Sequence, residues 1–335
     1  MAGYKALVLS EAGQPLRVEQ RTLQVTQPGE ALVRLGCAAV NHRDLWIRKG
    51  AYGVVAGLPG VLGSDGFGMV EAVGSQTDAA WIGLPVVIFP SLEWGDNDAA
   101  PGPNFRILGI PEAGTFAEFI SIPVSQLFHA PKNFSPEEAA ALPLAGVTAH
   151  RALFRRGGLR AGEKVLITGI GGGVAQFLLQ FALAGGAEVW VTSGSPEKIS
   201  AAKKAGATGG VSYGSSTWAA ELVKASGHFD LCVDSAAGSG WAGICEALKP
   251  GGRLVFLGAT QGAPEVPMRK AFFKQLSLLG TAMGSARDFA DMLAFVQTKN
   301  LRPAIDAVYP LDQVEQALDR MDKGLQTGKI VLKMP

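Results

Sequence analysis

The sequence predicts an α/β chain in two parts, a β-rich part and a doubly wound parallel sheet, and three observations carry that expectation. Residues 164–257 alternate almost purely apolar strands with helices, the pattern of a parallel sheet covered on both faces. A glycine-rich turn, Gly169-Ile170-Gly171-Gly172-Gly173, stands between the first of those strands and its helix. Up to about residue 126 the runs are short, β-favouring and cut by Gly and Pro. Glycine supplies 44 of 335 residues, about 13% against a usual figure of roughly 7%, so something in the fold needs bare backbone.

In the first part, strands are expected at 6–9, 31–35, 68–73, 86–89 and 116–122. One helix interrupts them, opening at or near Asn41, carrying Asp44, Leu45 and Arg48 and ending at Gly50. Ser135-Pro136-Glu137-Glu138 then places a cap, a first-turn proline and two acids before an alanine-rich helix. Strands follow at 164–168, 188–192, 210–213, 229–233 and 253–257, alternating with helices at 174–184, 196–205, 217–225 and 241–248. The tail, 287–335, holds helices at 289–297 and 311–321 and strands at 304–309 and 329–334. A final strand so short of partners is expected to return to the first part. The expected domains are therefore 1–127 with 285–335, and 128–284.

Composition excludes several classes of function. Thirty Lys and Arg against 29 Asp and Glu leave a formal charge of +1, with no basic surplus for nucleic acid. Three cysteines, Cys37, Cys232 and Cys245, form no C-x-x-C pair and suit neither a disulfide framework nor a four-thiolate zinc site. A reduced, cytoplasmic chain is expected. Residues 165–187 carry no charge and are long enough to raise the question of a membrane span. The glycines at 169 and 171–173, followed by Gln176 and Gln180, fit a buried strand running into a helix better. Residues 1–5 show no cationic stretch leading into an apolar core, so no signal peptide is expected.

The loop Gly169, Gly171, Gly172, Gly173 and Val174 allows a tight turn and lets a diphosphate approach backbone N–H groups at the positive end of a helix. This is the reading for dinucleotide binding. An NAD enzyme places an acid at the end of the next strand, on the ribose hydroxyls. Here that stretch offers Ser193, Ser195 and Lys198, which suit the 2′-phosphate of NADP(H). The plainer alternative is that Ser195 caps a helix and Lys198 is a solvated cation.

Four segments together are specific: Asn41-His42-Arg43-Asp44-Leu45-Trp46-Ile47-Arg48, Gly63-Ser64-Asp65-Gly66-Phe67-Gly68, Leu142-Pro143-Leu144-Ala145-Gly146-Val147-Thr148-Ala149 and the glycine loop. With them the sequence resembles the medium-chain dehydrogenase/reductase superfamily over essentially its whole length. The resemblance implies a GroES-like β-rich catalytic domain, a Rossmann NAD(P)-binding domain and an active site in the cleft between them. In the alcohol dehydrogenase branch, catalytic zinc is held by a Cys, a His and a further Cys. Here Asn41 and Ser64 stand at the first two positions, and no Cys lies near Leu144. The stretch between Pro90 and Gly114, where that branch carries a four-cysteine lobe, has no Cys either. Amide, hydroxyl and leucine do not make a zinc site, so no metal is expected.

The pattern therefore resembles the zinc-free quinone-oxidoreductase side of the superfamily, which implies hydride transfer from NADPH to quinones or α,β-unsaturated carbonyls (enones). An alcohol or aldehyde dehydrogenase acting without zinc is the second reading. A non-catalytic NADPH-binding structural or sensory protein is the third.

A spacing of three puts Asn41 and Asp44 on one face of their helix. The resemblance implies that Asn41 donates to the substrate carbonyl and Asp44 holds a local hydrogen-bond network. Capping of the first turn is the alternative for both. Tyr52 is a candidate proton relay, and Trp94 a candidate platform for a flat quinone. Thr148, Gly258 and Lys329 match contacts to the nicotinamide half of the cofactor, and Tyr213 one near the adenosine phosphate. The apolar stretch at 276–282 reads as a sheet edge, which suggests a homodimer.

Overall fold

The computed structural model describes residues 3–24, 26–53 and 57–335. They divide into two compact units, 1–147 with 284–335, and 148–283. The stretch 128–147, which the sequence reading set with the second unit, clusters with the first. The reason is local. The helix Pro136–Ala141, capped by the Ser135 and Glu138 side chains, packs against the strands Glu30–Val40 and Asp65–Val73. Its Ala140 and Ala141 share a buried cluster with Cys37, Ala39 and Val331.

The first unit is built on a seven-stranded sheet. Its order is Leu127–His129, Pro85–Ile88, Asp65–Val73, Glu30–Val40, Lys329–Lys333 and Ile305–Pro310, with Phe119–Pro123 also paired to Glu30–Val40. Ala31, Val33 and Leu35 alternate inward along Glu30–Val40, and Cys37, Ala38, Ala39 and Val40 are all buried, because both faces are covered there. The last strand runs antiparallel to it, with Ile330 opposite Val40. A three-stranded sheet, Arg17–Thr22, Gly3–Leu9 and Gly60–Val61, closes the rest of this core.

The second unit is a six-stranded parallel sheet in the order Gly209–Ser212, Glu188–Ser193, Lys164–Ile167, Phe229–Asp234, Leu248–Phe256, Ser277–Gly280. This is the doubly wound order of a Rossmann sheet. Val165, Leu166 and Ile167 are fully buried, as a central parallel strand requires. The order reverses between Lys164–Ile167 and Phe229–Asp234, which places the ligand-binding crevice at the carboxyl ends of those two strands. Among the described residues no helix is long and apolar enough to cross a membrane.

In the first unit, the stretch from Ser91 to Ile107 folds back on itself as a pair of two-residue strands, Ser91–Leu92 and Arg106–Ile107. Arg106 ties it to Glu93 and Glu112. The buried Arg43 guanidinium holds the next turn, donating to Leu108, Gly109 and Ile110 carbonyls at 3.2, 2.5 and 2.6 Å. The Tyr52 ring lies 5.2 Å from the same guanidinium. Truncating Arg43 leaves these inward-facing carbonyls without donors, so Arg43→Met should lower unfolding free energy by roughly 3 kcal/mol. Denaturant melts of the two proteins check this, and an unchanged midpoint would remove Arg43 as the clamp.

Candidate functional site

In the first unit the polar residues of the sequence motifs gather at the ends of three adjacent strands. Asn41 follows Glu30–Val40, Asp65 opens Asp65–Val73, and Lys329 opens Lys329–Lys333. Their side chains bond to one another inside the protein. Lys329 Nζ donates to Asn41 Oδ1 at 2.6 Å, Asp65 Oδ2 at 2.9 Å and the Val40 carbonyl at 3.1 Å. Asn41 Nδ2 donates to Asp65 Oδ2 at 2.9 Å and faces the Ala39 carbonyl at 3.5 Å. Asp65 Oδ1 accepts the Leu144 N–H at 2.7 Å. Asp65 is fully buried, and Lys329 is 3% and Asn41 7% exposed.

Asp44 lies one turn along the helix His42–Arg48. Its carboxylate accepts the Asn41 N–H at 2.8 Å, closing the helix start, and the Gly63 N–H at 3.1 Å. Gly63 has φ +96°, and a Cβ there would meet the Phe116 ring at 2.5 Å, so only glycine lets the Gly63-Ser64-Asp65 turn approach. Capping and a wider network are thus both true of Asp44. Burial pushes its carboxyl up to about 6, against the two N–H bonds and the nearby Arg43 charge, which lower it.

Lys329, for which the resemblance implies a contact to the nicotinamide half, finds three acceptors for its three ammonium hydrogens within the first unit, because a buried cation needs its countercharge. Trp94 was expected to stack on a flat substrate. It is 5% exposed instead, with its Nε1 donating to the Asn97 carbonyl at 3.0 Å and its ring edge-on to Phe105 at 5.1 Å. Tyr52 is 38% exposed beside Arg43.

In the second unit, the strand Lys164–Ile167 runs through Thr168 into the glycine loop and the helix Gly173–Ala184. Gly169 has φ +64°, and neither Gly169 nor Gly172 has an atom closer than 3.8 Å to where a Cβ would stand. The loop therefore presents bare backbone at a helix N-terminus, the cradle a diphosphate needs. Lys198 lies over it, its Nζ 2.6 Å from the Cβ position of Gly171. Tyr213, half exposed, lies over Gly194, its ring 3.3 Å from where a Cβ would stand there. Thr148 Oγ1 is buried and has no hydrogen-bond partner among the described residues. A nicotinamide dinucleotide fits this donor set.

Ser195 is the exception. Its hydroxyl accepts the Lys198 N–H at 3.3 Å as a helix cap and donates to Glu197 at 2.6 Å, so it is not free for a phosphate. Ser193, 4% exposed, takes the Ser195 N–H. Gly258 is required by packing, since a Cβ would stand 2.4 Å from the Ser235 carbonyl. Asp234, absent from the sequence reading, accepts bonds from Thr168 Oγ1 at 2.5 Å, the Ala237 N–H at 2.7 Å and Trp241 Nε1 at 3.0 Å. It braces the switch point, and an acid closing an apolar strand was its signal.

The donor set does not fit zinc. Ser64 Oγ donates to the Leu108 carbonyl at 2.7 Å, Asn41 is held by an ammonium and a carboxylate, and Leu144 contributes only its backbone. Among the described residues no three His, Cys, Asp or Glu side chains converge as a metal would need.

Residues 27–132 match the alcohol dehydrogenase GroES-like domain family, and residues 173–298 the zinc-binding dehydrogenase family. The chain is 35% identical to a zinc-type alcohol dehydrogenase-like protein of Schizosaccharomyces pombe, over 94% of each chain. It is 28% identical to the quinone oxidoreductase of Mus musculus, over 92% of this chain and 90% of that one. Among solved structures, an NAD-dependent alcohol dehydrogenase aligns with TM-score 0.89 and 33% identity, covering 99% of this chain and 100% of the other.

The Asp44 geometry has a pH consequence. Its folded pKa, about 6, lies above the ordinary 3.8, so the folded state takes up this proton before the unfolded state does. Stability from this group therefore rises as pH falls through about 6 and is lost as pH rises. Relative to Asp44→Asn, the wild type should gain about 1 kcal/mol between about pH 7 and about pH 5, read from paired melts. A difference independent of pH would show that Asp44 does not titrate there.

Proposed function

The chain belongs to the medium-chain dehydrogenase/reductase superfamily, and we propose that within it this oxidoreductase reduces quinones or α,β-unsaturated carbonyls with NADPH and without a metal. The carrying observation is the state of the metal-ligand positions. Asn41 and Ser64 are engaged in hydrogen bonds of the protein itself. Alcohol oxidation without a Lewis acid lacks the group that stabilises an alkoxide. An already electrophilic quinone or enone does not require one.

A bound nicotinamide dinucleotide supplies the hydride. The glycine loop and Lys198 hold its phosphates, and Thr148 offers its buried hydroxyl to the nicotinamide half. Asn41 meets the negative charge that develops on the acceptor oxygen. Its contact with the Ala39 carbonyl is at the limit of a hydrogen bond, so that amide hydrogen is the one available to substrate. Preference for NADP(H) rests on Lys198 and Tyr213. The Glu197 carboxylate at Ser195 is the observation that favours NAD(H). The zinc-type relatives favour the second reading, an alcohol or aldehyde dehydrogenase.

Initial rates with quinones, enones and alcohols, each with both cofactors, test the assignment. NADPH oxidation by a quinone or enone well above background is expected, and turnover confined to alcohols would overturn it. Lys198→Ala should weaken NADPH binding about tenfold or more and NADH binding much less. Equal dissociation constants for the two cofactors in fluorescence titrations would reject the preference.

We also propose a homodimer through the free edge of the six-stranded sheet. Ser277–Gly280 is its last strand, and Phe272 and Phe273 just before it are 61% and 70% exposed. An edge strand beside bare aromatics is an association surface unless covered. Light scattering at micromolar concentration should give twice the chain mass. A monomer would end the idea.

A further inference from the structure

At the carboxyl end of the strand Phe229–Asp234 the chain enters a turn that an L-residue resists. Ala237 has φ +57° and ψ −139°, a backbone conformation that persists only where its surroundings impose it. The buried Asp234 carboxylate imposes it. Its Oδ2 accepts the Ala237 N–H at 2.7 Å and Trp241 Nε1 at 3.0 Å, while Oδ1 accepts the hydroxyl of Thr168, at the root of the glycine loop, at 2.5 Å. One side chain thus serves two loops of the crevice.

The turn at 235–238 in its own right carries a third loop. The Ala236 carbonyl accepts the Gln261 N–H at 2.8 Å, and the Gly238 N–H donates to the Gly262 carbonyl at 3.1 Å. The approach is close from both sides: a Cβ on Gly238 would stand 2.7 Å from that of Gln261, and one on Gly258 2.4 Å from the Ser235 carbonyl. The glycine loop has ties of its own. Ile170 N–H donates to the Thr192 carbonyl at 3.0 Å, and Gln176 Nε2 to the Ile170 carbonyl at 2.6 Å.

We propose that Asp234 is a positioning residue for the nicotinamide half of the cofactor, setting the loop 258–262 through the turn 235–238 while the glycine loop holds the diphosphate by itself. This rests on the reading above that a nicotinamide dinucleotide lies at the carboxyl ends of these strands. Such a ligand spans the switch point, one half on each side of the sheet reversal. With the adenosine half on the side of Lys198 and Tyr213, the nicotinamide half meets the ends of Phe229–Asp234 and Leu248–Phe256. Hydride transfer needs that ring in one place, since a displacement of about 1 Å can cost about a hundredfold in rate.

Binding tests this without turnover. Calorimetric titrations compare NADPH with 2′-phospho-ADP-ribose, which carries the same adenosine and diphosphate but no nicotinamide. Asp234→Ala should weaken NADPH about tenfold and the fragment less than about twofold. Asp234→Asn keeps an oxygen for the Ala237 and Trp241 donors, and its amide donates to Thr168, whose hydroxyl then turns to the Val233 carbonyl, 3.5 Å away. It should bind NADPH within about threefold of the wild type. A carboxylate that only supported the fold would lower the melting temperature and leave the ratio of the two affinities unmoved. Gly238→Ala, which keeps Asp234 but pushes on Gln261, should show the same selective loss, and it decides the matter if Asp234→Ala does not melt cooperatively. Equal loss of NADPH and fragment, loss of neither, or no rescue by asparagine overturns the positioning role.

Turnover gives a second readout. With an acceptor that the wild type reduces, Asp234→Ala should lower kcat about tenfold or more and leave the acceptor KM within about threefold. A raised KM at unchanged kcat overturns the proposal. A wild type that binds neither NADPH nor NADH removes the cofactor reading itself and this inference with it, an outcome distinct from all of those above.

Discussion

The first unit depends on one buried ion pair. Asp65 and Lys329 stand at the starts of strands on either side of Glu30–Val40, and Asn41 leaves that middle strand between them. Residues some 264 positions apart in the chain are thereby held in register at one end of a sheet. Neither charge is tolerable there alone, since an unpaired buried ion costs several kcal/mol. The helix at His42–Arg48, the turn at Gly63 and the start of the helix Pro143–His150 each add a backbone or side-chain bond to this knot.

Around it, positive side chains meet inward-facing oxygen atoms. Lys329 satisfies Val40, Asn41 and Asp65, and Arg43 satisfies the carbonyls of the turn at 108–110.

The second unit follows a more general physics. The chain turns at Gly169 into the helix Gly173–Ala184, and Lys198 crosses over Gly171 to the same loop. At the switch point Thr168 and Asp234 tie the two central strands together. The turn after Glu188–Ser193 is more self-contained than the sequence suggests, because short hydroxyl side chains satisfy nearby backbone groups before they reach outward.

By itself the sequence determined what depends on local pattern. The apolar runs with period two or near-continuous burial became strands, Ser135 and Asn41 opened helices, and the glycine loop fell between a strand and a helix. Such features are settled by residues within a few positions of each other. Tertiary structure alone decided which polar side chains face one another. Nothing near Lys329 in the chain names Asp65 as its partner, although a lysine opening the apolar run Ile330-Val331-Leu332 signals that a countercharge must exist. Nothing in the loop around Trp94 says that Phe105 will take its ring, and nothing beside Arg43 says that a distant turn will present its carbonyls. The physical reason is range: backbone propensity acts over one turn or one hairpin, whereas a buried charge is neutralised by whatever the completed fold brings within about 3 Å.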